Sequence, residues 1–326
     1  PLAEVLGTGV TIAVPRRRLP RRESSWSVPS GLIRVPDRPF SPSSLDSLCN
    51  HPHQYVLRRV AGLKRSSVGR LPEGPLLYGT VAHSLVERYL AERTAESTRE
   101  TVPAWLEERY EQTIRERALL LLQPGNERFL HEVRTVVSTT LQWLEEEISR
   151  RNPERVESEQ TYDSSLGPYA VSGRIDIALR GCNPPVVVDI KWSGSSFRRK
   201  TIEEGREIQL PVYALLLGHG DGDLDLCYYI ATGGTVITWR NSRFSGAAHV
   251  PAHESSREYV PLALTRIEST IRERLRQFSD GVVALPGVEL PHGERTPTDT
   301  TIIQPAAELS PYDETLTLLG WTDDYR

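Results

Sequence analysis

The sequence predicts a single α/β domain, and three observations carry that expectation. Apolar residues recur at helical spacing up to residue 152, alternate with period two between 159 and 192, and return to helical spacing from 201 and from 260. The element order is therefore helix, three strands, helix, strand, with a helical insertion after the first helix, and no internal repeat divides it. A chain of 326 residues, 38% hydrophobic and 25% charged, is long enough to bury one large core or two modest ones, which excludes collagen, coiled-coil rod and wholly disordered architectures.

The elements follow in order. Residues 1 to 40 mix Pro and Arg (Pro15-Arg16-Arg17-Arg18, Pro20-Arg21-Arg22) without periodicity and read as a basic arm or linker. Pro42-Ser43-Ser44 then precedes Leu45, Leu48, Tyr55, Val56 and Val60, which predicts a short helix over 43 to 60, broken near Pro52. Gly79 and Thr80 open the next helix, with Ala82, Leu85, Val86, Tyr89 and Leu90 on one side and His83 beside Glu87 on another. Between 103 and 152, Leu106, Tyr110 and Ile114, then Leu130, Val133, Val137, Leu141, Leu144 and Ile148, predict a helical hairpin turned at Gln123-Pro124-Gly125-Asn126.

Strands are expected over Glu159 to Tyr162, Tyr169 to Leu179 and Val186 to Trp192, a helix over Thr201 to Leu217, and strands over Asp225 to Ala231 and Thr235 to Trp239 about the Gly233-Gly234 turn. A last amphipathic helix uses Val260, Leu264, Ile267, Ile271, Leu275 and Phe278. The Pro-rich segment 281 to 326 has little pattern, although Leu316, Leu318, Leu319 and Trp321 could dock.

Composition narrows the functional classes. No apolar run nears the roughly 20 residues of a membrane helix, so no membrane partner is expected. Cys49, Cys182 and Cys227 include no CxxC pair and can form neither a disulfide framework nor, unaided, a four-thiolate metal site, so a reducing cytoplasm is the expected setting. The chain has no Met and begins without a signal pattern, which reads as a processed chain or part of a longer polypeptide. The formal charge of -4 hides an asymmetry: Ser279 to Arg326 carries nine acidic and two basic residues, leaving +3 for the rest. That balance does not announce nucleic-acid binding, which must rest on local placement. Only three of 39 basic residues are lysines, namely Lys64, Lys191 and Lys200, so each draws interest.

The chemistry-bearing pattern lies in two strands. In Val171-Ser172-Gly173-Arg174-Ile175-Asp176-Ile177-Ala178-Leu179, alternation turns Asp176 away from the face of Ile175 and Ile177. In Val186-Val187-Val188-Asp189-Ile190-Lys191-Trp192, Asp189 and Lys191 share a face. A turn at Gly181-Cys182-Asn183-Pro184 sets Asp176 opposite Asp189, with Cβ atoms about 5 Å apart. Like charges so placed are destabilising unless a cation sits between them, and a divalent ion on hard oxygen ligands answers that need. Lys191 then stands beside the ion. Carboxylates holding Mg²⁺, with a lysine next to the water, suit phosphodiester cleavage.

Ser41-Pro42-Ser43-Ser44-Leu45 with Cys49 and Tyr55, Gly79-Thr80-Val81-Ala82-His83 with Glu87, Gly173-Arg174-Ile175-Asp176, Val188-Asp189-Ile190-Lys191 and Gln209-Leu210-Pro211-Val212-Tyr213 together resemble the RecB/AddB-like branch of the PD-(D/E)XK nuclease superfamily, over roughly residues 40 to 280. The resemblance implies a restriction-endonuclease-like core of mixed β-sheet flanked by helices, and a nuclease domain at 41–280 with its helical insertion at 103–152. It implies a DNA nuclease, exonuclease rather than endonuclease, dependent on Mg²⁺ or Mn²⁺ and acting in DNA repair or recombination near the nucleoid, with a helicase or translocase as subunit or fused domain. By position, His83, Asp176, Asp189 and the Ile190 carbonyl would hold metal and Lys191 would be the catalytic lysine. Gln209 and Tyr213 would lie beside the active site and DNA, and Glu159 would match an acidic residue before the second strand. The basic run Arg198, Arg199, Lys200 follows the catalytic strand and is a candidate for phosphate contact on a loop. Many relatives hold a [4Fe–4S] cluster with an early cysteine and three later ones; nothing after Cys227 supplies them, so no cluster is expected. Two rival readings remain: a CRISPR-adaptation or phage-defence nuclease, and a non-cutting DNA-binding or scaffold module on a nuclease fold.

Overall fold

A computed structural model describes residues 25–63, 74–250, 253–285 and 301–306. Its centre is a six-stranded mixed sheet ordered β2-β3-β4-β5-β6-β7, flanked by helices. The strands are β2 (Arg155–Leu166), β3 (Tyr169–Arg180), β4 (Val186–Lys191), β5 (Asp225–Ile230), β6 (Thr235–Thr238) and β7 (Ala248–His249). β2, β3 and β4 form an antiparallel meander, β4 and β5 run parallel, and β6 is antiparallel to β5. All of β5 and all of β4 except Lys191 are buried, as central strands covered on both faces must be.

One face carries α1 (Pro42–Asn50), α7 (Gln209–Leu216) and α8 (Ser256–Ser279). Its core joins Leu45, Leu48, Val187, Leu226, Tyr228 and Ile267. α1 starts where the Ser pattern indicates: Ser44 N–H donates to Ser41 Oγ at 3.2 Å, Ser41 N–H donates to Ser44 Oγ at 2.7 Å, and Pro42 fills the first turn. The expected break at Pro52 is present, followed by the short α2 (Pro52–Tyr55) and a π turn over Val56–Val60. Gly173 explains its own identity, since a Cβ there would lie 2.8 Å from Leu216 Cδ1 and 2.9 Å from Pro42 Cδ; only glycine lets α1 and α7 approach β3 so closely.

The other face carries α3 (Pro75–Glu92), α4 (Val102–Arg117) and α5 (Glu127–Arg151). Leu85, Leu106 and Leu141 share one core with Val186, Val188, Ile190 and Tyr229 of the sheet. The predicted hairpin is therefore not set apart: it roofs the sheet, and Trp143 of α5 stacks on Tyr229 of β5 at 4.1 Å.

Three expectations change. α3 opens at Pro75, one turn before Gly79. The helix expected over Thr201 to Leu217 is two, α6 (Ser195–Glu203) and α7, divided by Gly205 at φ 64°. The described parts of the unpatterned ends are also built in, while Arg16, Arg17, Arg18, Arg21 and Arg22 lie outside the described residues: β1 (Ser25–Ser27) pairs with β8 (Val282–Ala284), and Val28 N–H donates to Gly281 O at 2.8 Å. Ile303 is fully buried, its N–H donating to Thr270 Oγ1 at 2.8 Å and its carbonyl accepting from Arg274 at 3.0 Å. Lys64, Leu316, Leu318, Leu319 and Trp321 lie outside the described residues. Among those described, no helix is long and apolar enough to cross a membrane.

Candidate active site

β3 and β4 meet in the register the turn dictates, with Ile177 opposite Val188 and Ala178 opposite Val187. Asp176 and Asp189 take the next step, where the ladder ends and the Ile190 N–H donates to Asp176 Oδ2 at 3.2 Å. The alternation of β3 fails at this point, because Ile175 packs in the first core and Ile177 in the second. The irregularity has a counterpart on β2. Glu159, between the pairs Ser158–Ile177 and Gln160–Ile175, leaves the ladder at φ 52°. A left-handed non-glycine residue costs roughly 1–2 kcal/mol; such strain collects at functional sites.

His83 of α3 bridges these strands. Its Nε2 lies 3.0 Å from the Ile190 carbonyl, an oxygen that only accepts, so Nε2 is the donor. Nδ1 then faces Glu159 Oε1 at 3.6 Å and Asp176 Oδ2 at 3.7 Å. Burial pulls the imidazole pKa down, but the bond to Glu159 and the charges of Asp176 and Asp189 outweigh it and raise it. Glu159 is held low by His83, and Arg174 Nε adds an ion pair at 2.6 Å. Asp176 moves the other way, pushed up to about 7 by burial and then by Asp189.

One ligand atom each of His83, Glu159 and Asp176 lie within 4.8 Å of one another. Beside them Asp189 is fully buried, and its Oδ2 takes no well-formed hydrogen bond among the described residues; the Lys191 ammonium meets it only as an ion pair, at 2.7 Å. One imidazole, several carboxylates and a buried carboxylate oxygen met only by an ammonium suit a hard divalent cation that accepts nitrogen. The resulting group differs from the sequence-based set: Glu159 stands in it with His83 and Asp176, while Asp189 is engaged by Lys191 and α7. Glu87, paired with His83 on spacing alone, faces solvent.

α7 supports Asp189 from behind. Gln209 Nε2 donates to Asp189 Oδ1 at 2.6 Å and to Tyr213 Oη, one turn on, at 2.7 Å. Sequence reasoning missed the residue that fixes this helix. Glu207, buried, accepts from the backbone N–H of Gln209 at 2.8 Å and of Leu210 at 3.2 Å, and from Tyr228 Oη at 2.6 Å. An acid just ahead of a helix start was the available signal. The basic run also moves: it lies on α6, not a loop. Arg198 packs its guanidinium 5.1 Å over the Tyr228 ring, whereas Arg199 and Lys200 line a cleft of about 390 Å³ with Ser195, Glu203 and Thr235. Cys49 and Cys227 are buried in the cores on opposite faces of the sheet, where burial pushes the Cys49 thiol up to about 12, so both pack as small apolar groups.

Among curated proteins none matches the sequence. Of solved structures, one named "putative exonuclease", from Eubacterium rectale, is 12% identical with a TM-score of 0.42, the match covering 75% of this chain and 83% of that one. The protein SSO0001 is 18% identical with a TM-score of 0.19, covering 46% and 70%. Likenesses this distant carry no weight for fold or activity. The family description "PD-(D/E)XK nuclease superfamily", by contrast, matches residues 39–287, which span the sheet, α3 with His83 and the whole carboxylate cluster. With that span matched, the chain belongs to the PD-(D/E)XK nuclease superfamily.

Proposed function

We propose that the chain is a Mg²⁺- or Mn²⁺-dependent DNA exonuclease of the RecB/AddB-like branch. The observation that carries this reading is the convergence of His83, Glu159 and Asp176 within 4.8 Å, next to the 2.7 Å ion pair of Lys191 and Asp189. His83, Glu159, Asp176, Asp189 and the Ile190 carbonyl would hold the cation. When bound, it neutralises charge on the scissile phosphate and lowers the pKa of the attacking water.

The chain's own groups do the rest. Gln209 fixes the plane of the Asp189 carboxylate through Oδ1, leaving Oδ2 for the cation and Lys191. An ammonium has three protons, and the ion pair occupies at most one. The others can hold the attacking water and then the developing oxyanion, where charge stabilisation counts most. Arg199 and Lys200 would take flanking phosphates on α6, and a helicase or translocase, as subunit or fused domain, would deliver the strand in repair or recombination.

The test is cleavage of plasmid and end-labelled oligonucleotides with Mg²⁺, Mn²⁺ or EDTA, by the parent and by Asp189→Asn. Metal-dependent shortening from an end, lost in the variant, is the expected result. Binding without cutting by the parent would withdraw the reading in favour of a non-cutting module.

A further inference from the structure

Of the described Phe, Tyr and Trp side chains, two are exposed by more than a third: Phe129 at 39% and Phe197 at 58%. Both lead to the same place. Phe129, at the start of α5, stacks on Tyr78 of α3 with centroids 5.9 Å apart and planes 24° from parallel; Tyr78 meets Trp192 at 5.5 Å. Trp192 directly follows Lys191. Phe197, on α6, carries the Arg198 guanidinium 5.4 Å from its ring centre. That guanidinium lies 5.1 Å over Tyr228, whose ring has Lys191 Nζ at 5.8 Å. Trp192 belongs to one core and Tyr228 to the other, so the two chains of contacts reach the end of β4 from opposite faces of the sheet.

Phe129, backed by the Tyr78 ring, and Phe197, backed by the Arg198 guanidinium, face water as flat, pre-positioned surfaces. Nucleobases match such surfaces because every base has a π-face, and only unpaired bases can offer it. The cations nearby agree: Arg198 backs one ring, and Arg199, one residue on, enters no ion pair among the described residues and is available for a phosphate. We infer that Phe129 and Phe197 are stacking platforms for unpaired bases on the two sides of the scissile phosphate, so that the strand is taken up single-stranded. The identity of the ligand rests on the nuclease reading above.

The experiment measures binding in EDTA, without cleavage, of a fluorescein-labelled oligothymidine and of an abasic strand of equal length. Phe129→Ala and Phe197→Ala should each weaken oligothymidine binding about tenfold, and together about a hundredfold. Affinity for the abasic strand and the melting temperature should hold, and Phe129→Trp and Phe197→Trp should restore binding. Equal losses on both strands would overturn the inference in favour of a backbone effect. No loss on either would overturn it too, leaving the rings to a protein partner. Parent cleavage with Mg²⁺ is read in parallel. If it is absent while base-dependent binding persists, the nuclease reading alone fails; if it is present while binding ignores the bases, the platforms alone fail.

Discussion

Glu145 on α5 is a buried acid and Asp176 on β3 a half-buried one, and their surroundings differ in one respect. Glu145, wholly inaccessible, receives the Arg93 guanidinium through Nε at 2.6 Å and Nη2 at 3.2 Å, and the Tyr89 hydroxyl at 2.9 Å. Its charge is met by a cation of the chain. Asp176 has one backbone N–H at 3.2 Å and His83 at 3.7 Å, while Glu159 and Asp189 crowd it with more negative charge. Glu145, with a guanidinium of its own, is held as part of the scaffold; Asp176, set among acids with no guanidinium of its own, is placed for a cation from solution. Between these two acids, the difference is whether the fold supplies a counter-charge.

The sharpest way to test that contrast is to remove the Lys191 ammonium beside the crowded acids. Lys191→Ala should lower cleavage by two orders of magnitude or more, at least about 2.7 kcal/mol of transition-state stabilisation, while the metal still binds. Single-turnover cleavage and a metal titration read separately distinguish the two effects. Comparable cleavage by parent and variant would mean that the activity is a contaminant or resides elsewhere.

Glu145→Ala should show the opposite profile. It leaves Arg93 and the Tyr89 hydroxyl without their acceptor, and because Arg93 reaches solvent the loss of stability should be about 2 kcal/mol rather than the 3–5 of a fully buried pair. Urea unfolding measures it. Metal affinity should be unchanged, and a change there would break the comparison.

Much of this was legible beforehand because short-range rules decide it. The strand register followed from the turn, and it brought Asp176, Asp189 and Lys191 together even though the alternation of β3 fails at Asp176. The α1 boundary followed from serine and proline positions. Other features had no such rule. Apolar spacing runs on through Ile202, Ile208 and Leu210, so one helix was expected where Gly205 makes two. Residues 25–35 and 301–306 are held by backbone pairing and by single anchors such as Trp26 and Ile303, which leave no period to read. The φ of Glu159 has no local signature at all: a glutamate there is positioned by tertiary contacts with His83 and Arg174.

Asp176→Asn tests whether crowding by acids is a cost in the absence of metal. A carboxyl whose folded pKa is raised, here to about 7 by burial and then by Asp189, contributes stability that is complete below the unfolded value near 3.8 and lost as pH rises through 7. Asparagine imitates the protonated form at every pH and still accepts from Ile190 N–H. In EDTA, variant and parent should melt together near pH 4, and the variant should be the more stable at pH 8, by up to about 4 kcal/mol if the whole shift is realised. Added Mg²⁺ should stabilise the parent by mass action and leave the variant unmoved. A variant less stable than the parent at pH 8 would show that Asp176 is satisfied by the fold, as Glu145 is.

The smallest effect belongs to Tyr213→Phe. Gln209 spends one amide proton on Asp189 Oδ1 at 2.6 Å and the other on Tyr213 Oη at 2.7 Å. Removing the hydroxyl frees the amide to rotate but leaves its bond to Asp189, so the carboxylate loosens without losing a partner. One neutral hydrogen bond contributes about 1 kcal/mol, which bounds the loss at roughly fivefold in kcat. Metal affinity should scarcely change, because no ligand atom is removed. Gln209→Leu deletes both bonds and should act on metal binding as well as rate. If instead Tyr213→Phe lowers metal affinity as much as Gln209→Leu does, the hydroxyl itself belongs to the metal's surroundings, and Asp189 depends on α7 more than its two close contacts indicate.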